Sequence, residues 1–121
     1  MKVFIVEDNS LTRFTIKTAI EKIKHEVVGE AESFGDTMEK LKDVTPDVLL
    51  LDIILPDKSG LEVLKSFKKI NIKSKVIIIT ALEQDMLDDE LKKEGADYIL
   101  RKPFSVDDLE RAINKVFGLK K

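Results

Sequence analysis

The chain has 121 residues, with 21 basic and 23 acidic side chains, a net charge of −2 and no cysteine. This length predicts one domain. The near balance of charge gives no electrostatic reason to expect nucleic-acid binding, and the lack of cysteine excludes disulfides, thiolate catalysis and cysteine-ligated zinc. No apolar run approaches the roughly 18 residues that span a bilayer, and no signal peptide is recognisable, so we expect a cytoplasmic protein without a membrane partner.

Short apolar segments alternate with longer amphipathic ones along the chain. The predicted strands are residues 2–6, 26–30, 48–51, 75–79 and 98–100. The predicted helices are residues 10–24, 35–43, 60–70, 83–94 and 106–117. The runs 48–51 and 76–79 are continuously apolar, which indicates strands buried on both faces of a parallel sheet. The pattern therefore predicts an α/β fold, a three-layer αβα sandwich around a five-stranded parallel sheet.

Residues at the predicted helix ends support these boundaries. Ser59 followed by Glu62 predicts a capping box for the third helix. Ser105 predicts the N-cap of the last helix, and Gly95 predicts the end of the fourth.

Polar residues follow four of the five predicted strands. Glu7 and Asp8 follow the first strand, Asp52 the third, Thr80 the fourth and Lys102 the fifth. The carboxyl ends of parallel strands meet at one edge of a sheet, where ligands bind. Clustered carboxylates need a cation, and oxygen ligands suit Mg²⁺. A carboxylate can also attack phosphorus to form an aspartyl-phosphate, while a lysine and a hydroxyl stabilise the phosphoryl oxygens.

Four ordered motifs make the sequence resemble the receiver domains of two-component response regulators over essentially its whole length. They are Val6-Glu7-Asp8-Asn9, Leu51-Asp52-Ile53-Ile54-Leu55-Pro56 with Gly60, Ile79-Thr80-Ala81, and Gly95-Ala96-Asp97 leading to Lys102-Pro103-Phe104. The resemblance implies a flavodoxin-like or chemotaxis-regulator-like sheet in the order 2-1-3-4-5. We expect a single receiver domain over residues 1–121 with no output domain, because the chain ends soon after the last predicted helix.

The resemblance also implies the metal site. Asp8 and Asp52 would ligate Mg²⁺ directly, Glu7 would act mostly through water, and the backbone carbonyl of Ile54 would be the third direct protein ligand. Asp52 would be phosphorylated in the presence of this Mg²⁺, by a phosphohistidine on a sensor histidine kinase or phosphotransferase, or by a small acyl phosphate.

The remaining roles implied by the resemblance concern Thr80 and Lys102. Thr80 would bond the phosphoryl group, and Lys102 would pair with Asp52 and then with the phosphoryl oxygen. The Lys102–Pro103 peptide bond is expected to be cis. Such a domain is not an enzyme beyond its own phosphotransfer and dephosphorylation. It would signal to a downstream effector protein, as a monomer or as a phosphorylation-dependent dimer.

Two features depart from the usual pattern of that family. Ile99 stands where an aromatic ring is usual, and Tyr98 should point to the opposite side of the strand. Switching would then depend on Thr80, the loop after the fourth strand and the fourth helix. The two residues expected to flank the phosphoryl group are Ile54 and Leu82, both apolar. Because neither orients an attacking water, we expect slow hydrolysis of the aspartyl-phosphate.

Three further residues have simpler interpretations. Arg101 precedes Lys102 and should face away from it, as a surface charge. His25, the only histidine in the sequence, is expected to be a solvent-exposed turn residue rather than a phosphodonor or metal ligand. Phe104 is predicted to anchor the last helix in the core.

Three other functions fit parts of the pattern. A phosphohydrolase of the haloacid dehalogenase type needs a second aspartate two residues after the nucleophile, where this chain has Ile54. A flavodoxin-like electron carrier needs a phosphate-binding loop after the first strand, where Glu7 and Asp8 would repel phosphate. A degenerate receiver would act as a phosphorylation-independent interaction module, although such proteins usually lack the acceptor or the lysine.

Overall fold

Strands and helices alternate along the chain in the computed structural model, which describes residues 1–71 and 73–118. The strands are β1 (Lys2–Val6), β2 (Glu26–Ala31), β3 (Val48–Asp52), β4 (Lys75–Thr80) and β5 (Tyr98–Arg101). The helices are α1 (Ser10–Lys22), α2 (Phe34–Lys40), α3 (Gly60–Ile70), α4 (Asp85–Lys93) and α5 (Val106–Val116). None of the helices in the described ranges is long and apolar enough to cross a membrane. Residues 119–121 lie outside the described residues, and the predicted lack of an output domain after the last helix concerns this end of the chain.

The strands form one parallel sheet in the order β2-β1-β3-β4-β5, which confirms the predicted topology. Two consecutive strands, β1 and β2, lie on one side of β3, and β4 and β5 lie on the other. The order reverses between β1 and β3, where Val6 pairs with Leu51. In open parallel sheets this is the place where a ligand crevice forms. The carboxyl ends of β1 and β3 are therefore neighbours.

Both faces of the sheet are covered by helices, as the apolar runs predicted. On one face α1 and α5 pack against the strands, and their fully or nearly fully buried side chains are Ile16, Ala19, Ile20, Leu109, Ala112 and Ile113. On the other face α3 and α4 contribute Val63, Leu64, Phe67 and Leu91. Phe104 packs partly buried against the α1–α5 side, which confirms its predicted role as a core anchor. This double cover leaves the strand ends as the accessible edges of the sheet.

Four strands, β2 to β5, extend one residue beyond their predicted ends. Asp52, Thr80 and Arg101 are the last residues of β3, β4 and β5, because each is aligned with a partner on a neighbouring strand: Asp52 with Ile79, and Thr80 with Arg101. Two of the candidate functional residues, Asp52 and Thr80, therefore lie in the sheet itself rather than in a turn.

The helix ends agree with the predictions in two of three cases. Ser105 caps α5 by accepting a hydrogen bond from the Asp108 N–H, and Gly95 follows α4 with a φ of +112°, which favours glycine. The predicted capping box at Ser59 is wrong. Ser59 is the N-cap of α3, but its side chain makes no capping hydrogen bond, and the Glu62 N–H donates to the Ser59 carbonyl instead.

His25 precedes β2 at the amino-terminal edge of the sheet. The N-terminal ammonium of Met1 donates a hydrogen bond of 3.0 Å to His25 Nδ1. Burial, together with that positive charge, lowers the pKa of His25. His25 lies in the connection before β2, as predicted, but it is half-buried against the chain terminus rather than fully exposed.

Gly60 begins α3 directly beneath the end of β3. A Cβ atom at this position would lie 2.3 Å from the Asp52 carbonyl oxygen and 2.7 Å from Ile53 Cα. Both of these are backbone atoms, so they cannot rotate away. Only glycine lets α3 begin this close to the strand that carries Asp52.

Substitution Gly60→Ala should lower the free energy of unfolding by about 1–3 kcal/mol, because α3 must move away from β3. Denaturant unfolding of the purified proteins measures this. Gly35→Ala is the matched control at the start of α2, where the nearest atom to the new Cβ would be Asp57 Oδ2 at 3.6 Å. Equal stability of the two variants would contradict the close-approach argument.

Candidate functional site

Glu7, Asp52 and Thr80 are buried polar residues at the carboxyl ends of β1, β3 and β4. Their exposed fractions are 1%, 5% and 1%, whereas the neighbouring Asp8 is exposed. Carboxylate oxygens of Glu7, Asp8 and Asp52 lie within 4.8 Å of one another. The fold therefore brings together the three carboxylates predicted to meet at this edge of the sheet, with one of them open to solvent.

Lys102 reaches this cluster from the loop after β5. Its Nζ lies 2.7 Å from Glu7 Oε1 and 2.9 Å from Asp52 Oδ2, so one ammonium group bridges the two buried carboxylates. The backbone N–H of Lys102 donates to the Thr80 carbonyl at 2.9 Å. The following Lys102–Pro103 peptide bond is cis, as predicted.

The close approach of these charges shifts two pKa values. Burial raises the pKa of Glu7, and the negative charge of Asp52 raises it further, against the lowering effect of hydrogen bonds from Lys102 and the Asn9 N–H. Burial alone would lower the pKa of Lys102, but hydrogen bonds to Glu7 and Asp52 raise it above its ordinary value. The cluster therefore favours the charged form of Lys102 and disfavours the charged form of Glu7.

The donor set fits a hard divalent cation. Glu7, Asp8 and Asp52 offer only oxygen atoms, and Asp8 is open to solvent, as Mg²⁺ requires because it retains several waters. The Ile54 N–H donates to Asp52 Oδ1 at 3.0 Å, which ties the start of the β3–α3 loop to the same carboxylate. The carbonyl of Ile54 belongs to this tied segment. These four residues are the ones that would hold the ion.

Thr80 ends β4, the strand that pairs with β3. Its Oγ1 accepts a hydrogen bond of 3.0 Å from the Leu82 N–H, which ties the β4–α4 loop to the end of β4. Leu82 packs partly buried against the α3–α4 side of the core. Ile99 packs on that same side, whereas Tyr98 packs against the α1–α5 side, which confirms that the two point in opposite directions.

The prediction that Arg101 is a surface charge is wrong. Arg101 is half-buried and donates to the Leu82 carbonyl and to Asp88 Oδ2 of α4, so it is not a free surface charge. The other oxygen of Asp88, Oδ1, is buried and has no hydrogen-bond partner within the described ranges. Strand periodicity correctly directed Arg101 away from Lys102, but it held no information on the path of the β4–α4 loop. The acidic residues of α4 are the feature of the sequence that could have indicated an ion-pair partner for Arg101.

Comparison with known proteins identifies this arrangement. Residues 3–114 match the response regulator receiver domain family. The chain belongs to this family. The chemotaxis protein CheY of Thermotoga maritima is 35% identical to this receiver domain over 115 residues, which cover 95% of this chain and 96% of that protein.

Solved structures agree with the assignment. A CheY-like response regulator receiver domain protein from Methanospirillum hungatei is 27% identical, with a TM-score of 0.88 and coverage of 97% of this chain and 94% of that one. A chain of the CheX–CheY–BeF₃–Mg²⁺ complex from Borrelia burgdorferi has a TM-score of 0.93 at 23% identity, and covers 97% of this receiver domain and 89% of that chain. The second likeness shows the fold alone.

Proposed function

We propose that this receiver domain is a phosphorylation switch in which Asp52 accepts a phosphoryl group in a Mg²⁺-dependent reaction. Membership of the receiver family supports a phosphoacceptor role in general. The observation that carries the specific assignment is the bridge from Lys102 to Asp52 and Glu7 at the end of β3. Of the three clustered carboxylates, Asp52 is the one beside both the lysine and the start of the β3–α3 loop.

The neighbouring side chains suit in-line attack by a carboxylate oxygen of Asp52. As the new P–O bond forms, the bond from phosphorus to the donor atom breaks, and its electron pair leaves with the donor. Lys102 then has a phosphoryl oxygen as its partner in place of Asp52 Oδ2, and the Thr80 hydroxyl donates to another. Mg²⁺, when bound by Glu7, Asp8, Asp52 and the Ile54 carbonyl, supplies charge that offsets the phosphoryl oxygens.

The phosphodonor we propose is a phosphohistidine on a sensor kinase or phosphotransferase, with a small acyl phosphate as a substitute. Receiver domains interact with histidine kinases and effector proteins, and the Borrelia burgdorferi structure named above contains CheX with CheY. We propose that the phosphorylated domain acts in the cytoplasm by changing its affinity for one effector protein. Its only catalysis is then its own phosphotransfer and dephosphorylation.

Incubation with acetyl phosphate and Mg²⁺ should add one phosphoryl group to the intact protein, measured by mass spectrometry. Asp52→Asn should abolish the gain because the amide is not a nucleophile, and chelation of Mg²⁺ by EDTA should also suppress it. Asp43→Asn, at an exposed carboxylate outside the site, should gain the group like the wild type. No gain with either acetyl phosphate or a phosphohistidine donor would favour the interaction-module alternative.

We further propose that the phosphoryl group is long-lived. Ile54 is 58% exposed next to Asp52, and Leu82 lies in the loop tied to Thr80. Both side chains are apolar and have no group that could orient a water for attack. Ile54 is the better position to test, because Leu82 also packs against the core and its removal would leave a cavity.

Ile54→Asn should shorten the half-life of the aspartyl-phosphate on the order of tenfold, because the amide can orient a water; this equals ~1.4 kcal/mol in activation free energy. Loss of radioactive phosphate from the purified phosphoprotein measures it. Ile54→Leu keeps an apolar side chain of the same size and should leave the half-life unchanged. A wild-type half-life of seconds would contradict shielding.

The contacts around Arg101 support a readout through α4. The Leu82 N–H binds the Thr80 hydroxyl, the Leu82 carbonyl accepts from Arg101, and Arg101 pairs with Asp88 of α4. Any movement of the Thr80 hydroxyl toward a phosphoryl group therefore disturbs a chain of bonds that ends on α4. We propose that this series of hydrogen bonds transmits the switch in place of the aromatic ring that is usual at the position of Ile99.

Arg101→Ala should lower the opening free energy of α4 by ~1–3 kcal/mol in the unphosphorylated protein, because Asp88 loses its partner. Hydrogen exchange of residues 85–93, with and without BeF₃⁻ and Mg²⁺, measures this. The difference between the two states should shrink in the variant. Arg111→Ala, which removes an exposed pair with Asp108 on α5, should behave like the wild type. An undiminished difference in Arg101→Ala argues against the proposed readout.

A further inference from the structure

Asp57 connects the loop that leaves the phosphorylation site to a different part of the fold. Its Oδ1 accepts a hydrogen bond from the Phe34 N–H at 2.8 Å, and its Oδ2 accepts one from the Gly35 N–H at 3.0 Å. Phe34 and Gly35 are the first two residues of α2. The carboxylate of the β3–α3 loop therefore covers the start of a helix that lies more than 20 residues earlier in the sequence.

This contact completes the hydrogen bonding at the start of α2. The first N–H groups of a helix have no acceptor within the helix. Ser33 Oγ accepts from the Asp36 N–H, and Asp57 accepts from the two N–H groups before it. The backbone N–H groups of Gly35 and Phe34 lower the pKa of Asp57 to about 2, so the carboxylate is ionised at neutral pH.

A second contact strengthens the same junction. The Lys58 ammonium group lies 4.5 Å from the centroid of the Phe34 ring, in a cation–π geometry. Two consecutive residues of the β3–α3 loop thus hold the same helix start. A carboxylate with only a local turn-forming role would bind its own loop, whereas Asp57 binds across to α2 as well.

The position of Asp57 matters because of Ile54. The Ile54 N–H is tied to Asp52 Oδ1, and the Gly60 N–H donates to the Ile53 carbonyl at 2.7 Å. Between these points, residues 54–59 lie on the surface apart from half-buried Leu55, and the Ile54 side chain is 58% exposed. Leu55 packs against the α3–α4 side of the core, whereas the other side chains of this segment are exposed. Among the described residues, the hydrogen bonds that tie this segment to another element are the pair from α2 to Asp57.

We propose that Asp57 is a positioning residue for the metal site, which it serves by holding the backbone carbonyl of Ile54 in the direction of the ion. Asp57 touches neither the ion nor the phosphoryl group. This inference depends on the proposed function, because it assigns Mg²⁺ to Glu7, Asp8, Asp52 and the Ile54 carbonyl. The α2 junction then preorganises one ligand of that set.

Asp57→Ala should weaken Mg²⁺ binding about tenfold, as is typical when a group that orients a metal ligand is removed. Calorimetric titration of the unphosphorylated protein with MgCl₂ measures this directly, without any reaction. In phosphorylation by acetyl phosphate, the Mg²⁺ concentration for half-maximal rate should rise by the same factor. The rate at saturating Mg²⁺ should stay at the wild-type value, because the ligands themselves are intact.

Two further variants make the test specific. Asp57→Asn keeps one acceptor oxygen and should give an intermediate Mg²⁺ affinity. Asp47→Ala is the matched control, since this exposed carboxylate accepts the Lys2 N–H at 2.7 Å at the opposite end of the sheet. It should bind Mg²⁺ like the wild type. Circular dichroism of each variant reports whether the helices are retained.

The possible failures are distinguishable. If wild-type protein neither binds Mg²⁺ nor gains a phosphoryl group, the proposed function fails. If the wild type does both and Asp57→Ala binds Mg²⁺ equally well, the positioning role alone is overturned. A lower rate at saturating Mg²⁺ with unchanged Mg²⁺ affinity also overturns it, because the residue would then act on the chemical step or on the fold.

Discussion

One ammonium group between two buried carboxylates is the interaction on which the site depends. Lys102 is 95 residues from Glu7 and 50 residues from Asp52 in the sequence, yet it lies within 2.9 Å of an oxygen of each. Buried carboxylates at this spacing repel one another unless a cation is present. The parallel sheet brings them together, and Lys102 offsets part of the repulsion. The charge that remains is what would attract the proposed divalent cation.

The same local hydrogen bond occurs at three strand ends around this cluster. In each, a side-chain oxygen accepts a hydrogen bond from the backbone N–H two residues later. The acceptor residue either ends the strand or directly follows it. The pairs are Glu7 with Asn9, Asp52 with Ile54, and Thr80 with Leu82. The groups proposed to bind metal or phosphoryl are thus also the anchors of the loops that follow them. In the proposed switch, a change in the partners of those oxygens would reach the loops directly, and through Arg101 it would reach α4.

Much of this arrangement was predictable because it follows from local pattern. Continuous apolar runs predicted the buried parallel strands, and the polar residues that follow them predicted which side chains meet. The error at Ser59 was local, whereas the errors at His25 and Arg101 came from contacts between segments distant in sequence. Ser59 failed as a capping box because backbone geometry supplied another acceptor, and Arg101 was misassigned because its partners lie in a loop and a helix whose paths periodicity does not describe.

By itself the sequence determined the order of elements, the layered α/β fold and the identity of the residues at the strand ends, since hydrophobic period and strand polarity are local properties. Only the tertiary structure decided which oxygen faces which donor: that Lys102 bridges Glu7 and Asp52, and that Asp57 reaches across to α2. Those contacts join segments that are distant in sequence. Their geometry depends on the packing of helices against the sheet, which no local pattern encodes.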